Sequence, residues 1–348
     1  MKKIGILTCG GDAPGLNAAI RGVVKSVKEL YSMETVGFYF GFKGLIENDF
    51  TMLNNTSGYL TRGGTILKTS REKPFKGPDS RDKLAAILNT YRYHDLDALV
   101  ILGGNGTLKT AYALQKELGL NVLVLPKTID NDIYGTDISF GFSSAVDIAT
   151  EAIDRIHSTA TSHQRVMVVE VMGHKAGWIS LMAGLASGSD IILLPEIPFS
   201  YRRIYDLIDR RVSLRKDSTI ICVGEGAISL DESGLSKEEL EQSRNNLSIG
   251  QRIAGSIDKF TPYDSRLTVL GYVQRGGTPN AFDRNLATIL GASAAKLIDS
   301  GNFGNLVAYV NNRAIPVPLN SIAGKLKVVG LNNSYLQSAR SIGVSFGD

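Results

Sequence analysis

Residues 4–15 read Ile4-Gly5-Ile6-Leu7-Thr8-Cys9-Gly10-Gly11-Asp12-Ala13-Pro14-Gly15. Beyond them Leu16, Ile20, Val23, Val27 and Leu30 recur at spacings of three and four, with Arg21 and Lys25 on the opposite face. An apolar run of strand length, a glycine turn and an amphipathic helix together open a β-turn-α unit. The same alternation continues downstream. Apolar runs at 4–8, 96–102, 121–125, 166–172, 190–194, 218–223, 266–273 and 306–310 predict strands. Helical periodicity falls at 82–93, 108–118, 142–159, 200–214, 236–257 and 283–297. Nearly unbroken apolar runs are what parallel strands covered on both faces require, so the pattern predicts a mostly parallel α/β fold. Ligands of such sheets sit beyond the carboxyl ends of the strands, where the glycine-rich and polar residues of this chain fall.

A length of 348 residues suggests two domains or one large α/β unit. With 43% hydrophobic and 21% charged residues the composition is globular, which excludes disordered and fibrous classes. The 37 glycines follow no three-residue period and read as tight loops. Net charge is +4, from 38 basic and 34 acidic residues, with no Lys/Arg block. That argues against nucleic acid and for small anionic ligands. Two cysteines, Cys9 and Cys222, without a C-x-x-C, exclude a disulfide scaffold or cysteine zinc site and fit a reducing cytoplasm. His94, His157, His163 and His174 form no H-E-x-x-H. No apolar run approaches the roughly 18 residues of a membrane span. The apolar stretch after Met1-Lys2-Lys3 is too short for a secretory signal. The expectation is a soluble, cytoplasmic chain.

Three loops carry the chemistry. Gly10–Gly15 lacks both the G-x-G-x-x-G spacing and the G-K-[ST] of a P-loop. A glycine turn entering a helix can still aim backbone N–H groups at an anion; it can equally be a turn that needs glycine for steric reasons. Gly103-Gly104-Asn105-Gly106-Thr107 repeats the arrangement after the second long strand, and two such loops on one sheet point to a polyphosphate. The third, Pro126-Lys127-Thr128-Ile129-Asp130-Asn131-Asp132, sets two carboxylates beside a Lys and an Asn. It reads as a solvated turn, or as a base accepting a hydroxyl proton with a partner orienting metal or base. Arg71, Arg165, Arg266 and Arg275 stand in short polar contexts suited to bidentate phosphate contact.

Taken together, Gly10–Gly15 with Asn17-Ala18-Ala19-Ile20-Arg21, Arg62-Gly63-Gly64-Thr65, Thr128–Asp132, Ser162–Arg165, Val169-Glu170-Val171-Met172-Gly173 and Gln274–Gly277 resemble the 6-phosphofructokinase family. The resemblance runs in order from residue 4 to about residue 290. It implies two Rossmann-like α/β/α domains with the active site in the cleft between them. The nucleotide domain would be 1–141 with 274–312, and the fructose 6-phosphate domain 142–273 with 313–348. It implies a glycolytic, Mg²⁺-dependent transfer of the γ-phosphoryl of ATP, or a phosphoryl of pyrophosphate, to the 1-hydroxyl of fructose 6-phosphate. Asp130 matches the base, with Thr128 and Asp132 beside the acceptor hydroxyl and the transferred group. Gly11, Arg71, Glu72, Gly104, Asn105, Gly106 and Thr107 match the nucleotide side, and Arg71 also the arginine that neutralises developing charge. Thr128, Ile129, Asp130, Arg165, Met172, Gly173, His174, Glu225, Arg266, Tyr272 and Arg275 match contacts of the sugar phosphate. Arg165 and Arg266 are typically lent by a neighbouring subunit, which implies a homotetramer or dimer with shared sites. Arg21 and Lys25, near His157 and Asp190, match an allosteric anion site.

Several positions depart from the family pattern. Asn105 replaces an acidic residue associated with Mg²⁺, keeping the oxygen but losing the charge; with Asp132 it makes up the candidate metal position. Tyr272 replaces a His among the sugar-phosphate ligands, and Glu72 and His174 vary in the family. Donor signals divide. Pyrophosphate users carry Asp at position 106, where this chain has Gly, and Lys at 127, which this chain shares. An Asp blocks ATP by clash and like charge, whereas a Lys blocks nothing, so ATP is expected. A pyrophosphate-dependent enzyme and a non-catalytic sugar-phosphate sensor are the alternatives.

Overall fold

The alternation of strand and helix is realised in the computed structural model, which describes residues 2–244 and 246–348. Its strands are β1 Lys3–Thr8, β2 Glu34–Phe38, β3 Phe50–Met52, β4 Ala98–Gly103, β5 Val122–Pro126, β6 Val166–Val171, β7 Ile191–Leu193, β8 Thr219–Gly224, β9 Ser265–Val269, β10 Asn305–Val310 and β11 Arg313–Pro318. They form one sheet in the order β11-β10-β5-β4-β1-β2-β3 and another in the order β7-β8-β6-β9. The chain divides into two units, one running through Ser144 and resuming over Arg275–Lys327, the other Ala145–Gln274 with Val328–Asp348. The expected return to the second unit at residue 313 is corrected to 328. β11 pairs antiparallel with β10 from Asn305↔Pro318 to Val310↔Arg313, so this hairpin belongs to the first sheet.

In the first unit, β1, β4 and β5 are parallel neighbours whose apolar side chains are fully buried. Ile20, Val23 and Val27 of helix Leu16–Tyr31 cover one face. Ile87 from helix Ser80–Tyr93, with Leu108, Ala111 and Leu114 from helix Asn105–Leu118, covers the other. Helix Leu16–Tyr31 also lies against helix Ala281–Asp299 with backbones nearly touching. A Cβ at Gly291 would sit 2.7 Å from the Val23 nitrogen and 2.9 Å from the Ala19 oxygen, and one at Gly22 3.1 Å from the Thr288 oxygen.

In the second unit the four strands are all parallel. Ile204, Ile208, Ile249, Ile253 and Ile257 from two helices cover one face. Leu181, with Leu336, Ala339 and Phe346 from the C-terminal segment, packs in a second cluster with Ile192 and Leu194.

Two expected elements change. The helix at 236–257 is two helices, Lys237–Ser243 and Ile249–Phe260. The break comes at Ser248, whose hydroxyl accepts from the Gln251 amide (3.3 Å) as an N-cap. The strand expected over 266–273 stops at Val269, and Gly271–Arg275 coil into a 3₁₀ turn. Among the described residues no helix is long and apolar enough to cross a membrane.

The helix crossing gives the first prediction. Gly291→Ala forces a methyl against two backbone atoms that no rotamer change can move, so it should destabilise the chain by about 1–3 kcal/mol. Urea unfolding followed by circular dichroism checks this; an unchanged midpoint would mean the two helices can separate without loss.

Candidate active site

Three loops leave the carboxyl ends of adjacent parallel strands β1, β4 and β5. Past β1, the Cys9 amide donates to Leu102 O (2.9 Å) and the Gly10 amide to Ser70 O (3.0 Å), so the turn is tied across the end of the sheet. Gly10 has φ +81°, a conformation that side chains disfavour. At Gly11 a Cβ would lie 2.7 Å from Nη1 of Arg275, so the turn runs close under that guanidinium. Two cations hold the carbonyls of this turn. Lys127 Nζ donates to Gly11 O, and Arg275 Nη1 to Asp12 O (3.1 Å). Lys127 is only 3% exposed. Its burial, reinforced by the Arg275 charge, lowers the ammonium to about 8. Burial pushes the neighbouring Cys9 thiol up to about 12, which makes it a packing residue and no nucleophile at neutral pH.

After β4, Gly104 is extended and its carbonyl accepts from the Thr107 and Leu108 amides, starting helix Asn105–Leu118. Thr107, expected at the nucleotide, is buried against Gly103, where a Cβ would meet the Thr107 side chain at 2.4 Å. At exposed Gly106 an added Cβ meets no atom within 4 Å. The Asn105 amide nitrogen donates to Asp132 Oδ2 (2.7 Å) and to Asp132 O (3.0 Å), which ties the second loop to the third.

The third loop folds back on itself. Thr128 Oγ1 accepts from the Asp130 amide (3.1 Å), Ser139 Oγ donates to Thr128 O (2.9 Å), and Asn131 Oδ1 accepts from the Ser139 amide (3.1 Å). Asn131 is left-handed, with φ +50°. Asp130 is half-buried, Thr128 and Asp132 are buried, and Ile129 is wholly buried, so only its main chain can meet a ligand. Arg71 is exposed beside this edge of the fold, following Ser70. Glu72, expected at the nucleotide, forms an ion pair with Lys83 (2.8 Å).

In the second unit, β6 runs into Met172, Gly173 and His174, and β8 into Glu225. Gly173 and His174 both have positive φ. Glu225 Oε1 accepts from the amides of His174 (2.8 Å) and Gly173 (3.3 Å), so this carboxylate shapes the turn beside it. Gln274, absent from the expected site, is fully buried, and its Oε1 accepts from the Met172 amide (3.3 Å). Glu170, part of a matching motif, is likewise absent from the expected site. Its buried carboxylate accepts from Ser248 Oγ (2.5 Å) and the Gly250 amide (2.8 Å), pinning a helix start to β6. Tyr272 is 78% exposed.

Arg165 and Arg266 lie elsewhere. Arg165 precedes β6 and Arg266 is in register with Met167 near the start of β9, both reaching toward Asp264 at 3.7 and 3.8 Å. They occupy the amino ends of strands whose carboxyl ends carry Met172, Gly173 and Tyr272, roughly 20 Å away at about 3.3 Å per residue. Of the expected allosteric residues, Arg21 and Lys25 border a surface cavity of about 420 Å³ with Lys28, Asn54 and Asn55. In the second unit His157 Nε2 lies 2.7 Å from Ser187 O, and Asp190 pairs with Arg211 at 2.7 Å.

Residues 3–298 match the family model described as phosphofructokinase. The chain is 52% identical to the ATP-dependent 6-phosphofructokinase of Spirochaeta thermophila, across 100% of this chain and 98% of that protein. It superposes on a phosphofructokinase structure from Saccharomyces cerevisiae with TM-score 0.77 and 31% identity, covering 92% of this chain and 45% of the yeast chain. A pyrophosphate-dependent phosphofructokinase structure from Nitrosospira multiformis superposes with TM-score 0.84 at 19% identity, over 100% of this chain and 93% of that one. This last likeness is one of fold.

The bond between the second and third loops is directly testable. Asn105→Asp replaces an amide donor 2.7 Å from a carboxylate oxygen with a second carboxylate. In EDTA at neutral pH the variant should lose about 1–3 kcal/mol of stability, the cost of a broken bond to a charged group, and Mg²⁺ should restore part of it. Denaturant unfolding with and without Mg²⁺ reads both effects; equal stability in EDTA would show that the bond holds nothing.

Proposed function

The chain belongs to the phosphofructokinase family, and from that footing we propose that it transfers the γ-phosphoryl of ATP to the 1-hydroxyl of fructose 6-phosphate, with Asp130 as the base. One observation carries the choice of donor: the space over exposed Gly106, where a Cβ would meet nothing within 4 Å, at the first turn of a helix. That turn favours phosphate through its unpaired N–H groups and dipole, and the opening accommodates the α-phosphate of a nucleotide. Lys127 supports the same choice. It is buried under the glycine turn and bonded to Gly11 O, where it serves the loop rather than displacing a nucleotide.

In this reading Asp130 accepts the proton of the sugar 1-hydroxyl as that hydroxyl's oxygen attacks the γ-phosphorus in line and the bond from phosphorus to the β,γ-bridging oxygen breaks, with ADP as the leaving group. Thr128 Oγ1 accepts from the Asp130 amide, which leaves its own proton to donate to the transferred group. Arg71 offsets charge developing on that group, and the glycine turn, Gly104 and Asn105 line the phosphate path. Mg²⁺, which neutralises phosphate charge when bound, fits as an ion carried by the nucleotide. Among the described residues no three His, Cys, Asp or Glu side chains gather into a resident metal site. Asp132 supplies one carboxylate, while Asn105 turns its NH₂ group toward it. One carboxylate with substrate phosphates and water is a usual Mg²⁺ shell. Met172, Gly173, His174, Glu225 and Tyr272 are assigned to the sugar and Arg275 to its phosphate. The cavity beside Arg21 and Lys25 has the charge to take an anionic effector such as ADP or phosphoenolpyruvate.

Arg165 and Arg266, at the opposite end of their sheet from the sugar residues, are assigned to the sugar phosphate held by a second copy. The active form is then a homo-oligomer, a tetramer or dimer, with shared sites.

Asp130→Asn should lower kcat by about 10²–10⁴ with a smaller change in sugar KM. Mixed with Arg266→Ala chains under conditions of demonstrated subunit exchange, it should regain activity, because one kind of mixed site receives both intact residues. A kcat loss under tenfold would overturn the base, and mixtures that stay inactive would place each site within one chain. For the donor, wild type should favour ATP over pyrophosphate by at least about tenfold in kcat/KM, or ~1.4 kcal/mol. Gly106→Asp should abolish ATP use while preserving or raising that of pyrophosphate. A coupled assay with both donors decides, and faster turnover of pyrophosphate by wild type would reverse the assignment.

A further inference from the structure

Lys327 lies beyond residue 298, where the family match ends. After β11 the chain passes through the short helix Leu319–Ile322, and Leu326 then bridges antiparallel to Ile133. This lays residue 327 along the third loop, where its amide donates to Asp132 O (2.9 Å). Its ammonium sits among three acceptors, Asn131 Oδ1 (2.9 Å), Thr136 O (2.9 Å) and Asp137 O (2.8 Å). An ammonium has three protons, so this geometry offers one oxygen to each. The fold-back of the loop turns these oxygens toward one point, and without a cation there they would face one another. Burial lowers the Lys327 ammonium to about 8, against the pull of Asp137 and Asp132.

Asn131 is the residue through which this clamp reaches the chemistry. It stands between Asp130 and Asp132 in a left-handed conformation, with φ +50°, that asparagine is among the few non-glycine residues to adopt when its side chain is held locally. Its Oδ1 is shared by Lys327 and the Ser139 amide, which hold the side chain and with it the turn.

We propose that Lys327 is a positioning residue for phosphoryl transfer: its ammonium fixes the Asn131 turn and so the direction from which the Asp130 carboxylate meets the acceptor hydroxyl. This rests on the reading of Asp130 as the base. It predicts an effect on kcat well above that on substrate binding, since a displacement of about 1 Å in a reacting group can cost 10²-fold.

The test compares Lys327→Met, Lys327→Arg, Asn131→Ala, the double variant Lys327→Met/Asn131→Ala and Asp130→Asn in the full chain, each with kcat, sugar KM and melting temperature. Lys327→Met should lose about 10–100-fold in kcat with sugar KM within about threefold and the chain folded at the assay temperature. Lys327→Arg, which keeps the charge and donors, should recover part of the loss. The double variant should be no slower than the slower single, because both act through one link. A kcat within twofold of wild type, a loss equal to the fall in folded fraction, or additive effects would overturn the proposal. If Lys327→Met does not fold, Lys327→Arg and Asn131→Ala decide by the same split between kcat and KM. Asp130→Asn separates the two readings: an inactive Asp130→Asn beside a normal Lys327→Met defeats only the role of Lys327, whereas an active Asp130→Asn defeats the base itself.

Discussion

Where β1, β4 and β5 end, the ladder that satisfied their backbone groups ends too, and each loop must find partners for its own N–H and C=O groups. The loops find them in one another and in the segments beside them. Gly10 bonds to Ser70, Cys9 to Leu102, Asn105 to the carbonyl and carboxylate of Asp132, and Lys127 to Gly11. An edge built this way behaves as one connected object. Shifting any loop exposes unpaired groups in the next, and the cost of those groups keeps the carboxylates and glycines in register before any substrate arrives.

The buried cation at Lys127 belongs to the same economy. An ammonium stripped of water is unfavourable by itself, and it is tolerated because a carbonyl accepts from it and Asp130 and Asp12 lie close enough to attract it. Lys127 thus stands here as a support for the glycine turn.

The sequence was legible where local pattern and global fold agree. Continuous apolar runs marked the central strands, and glycine clusters at their ends marked the site loops, because both signals are written within a few consecutive residues. β2 was missed because Glu34, Thr35 and Gly37 interrupt its apolar character, and β11 because two prolines and a mostly exposed pattern disguise an edge strand. The break at Ser248 was hidden by helical patterns on both sides of it. In the candidate site, Asp130 and Gly106 were proposed from motif order. Gln274 beneath Met172, the Asn105–Asp132 bond and Lys327 could not be, since each depends on contacts between residues far apart in the chain. Arg165 and Arg266 were legible as residue types, while their place at the far end of the sheet is a matter of topology.

That placement has a thermodynamic corollary. Two guanidinium groups reach toward the single carboxylate of Asp264, a patch with more positive than negative charge and a standing attraction for an anion. Under the proposal that those groups complete the sugar-phosphate site of another copy, assembly and substrate binding become linked functions. Substrate would then hold the oligomer together by the same factor by which the oligomer tightens substrate, and dilution of the protein would weaken apparent affinity without altering a single residue of the site.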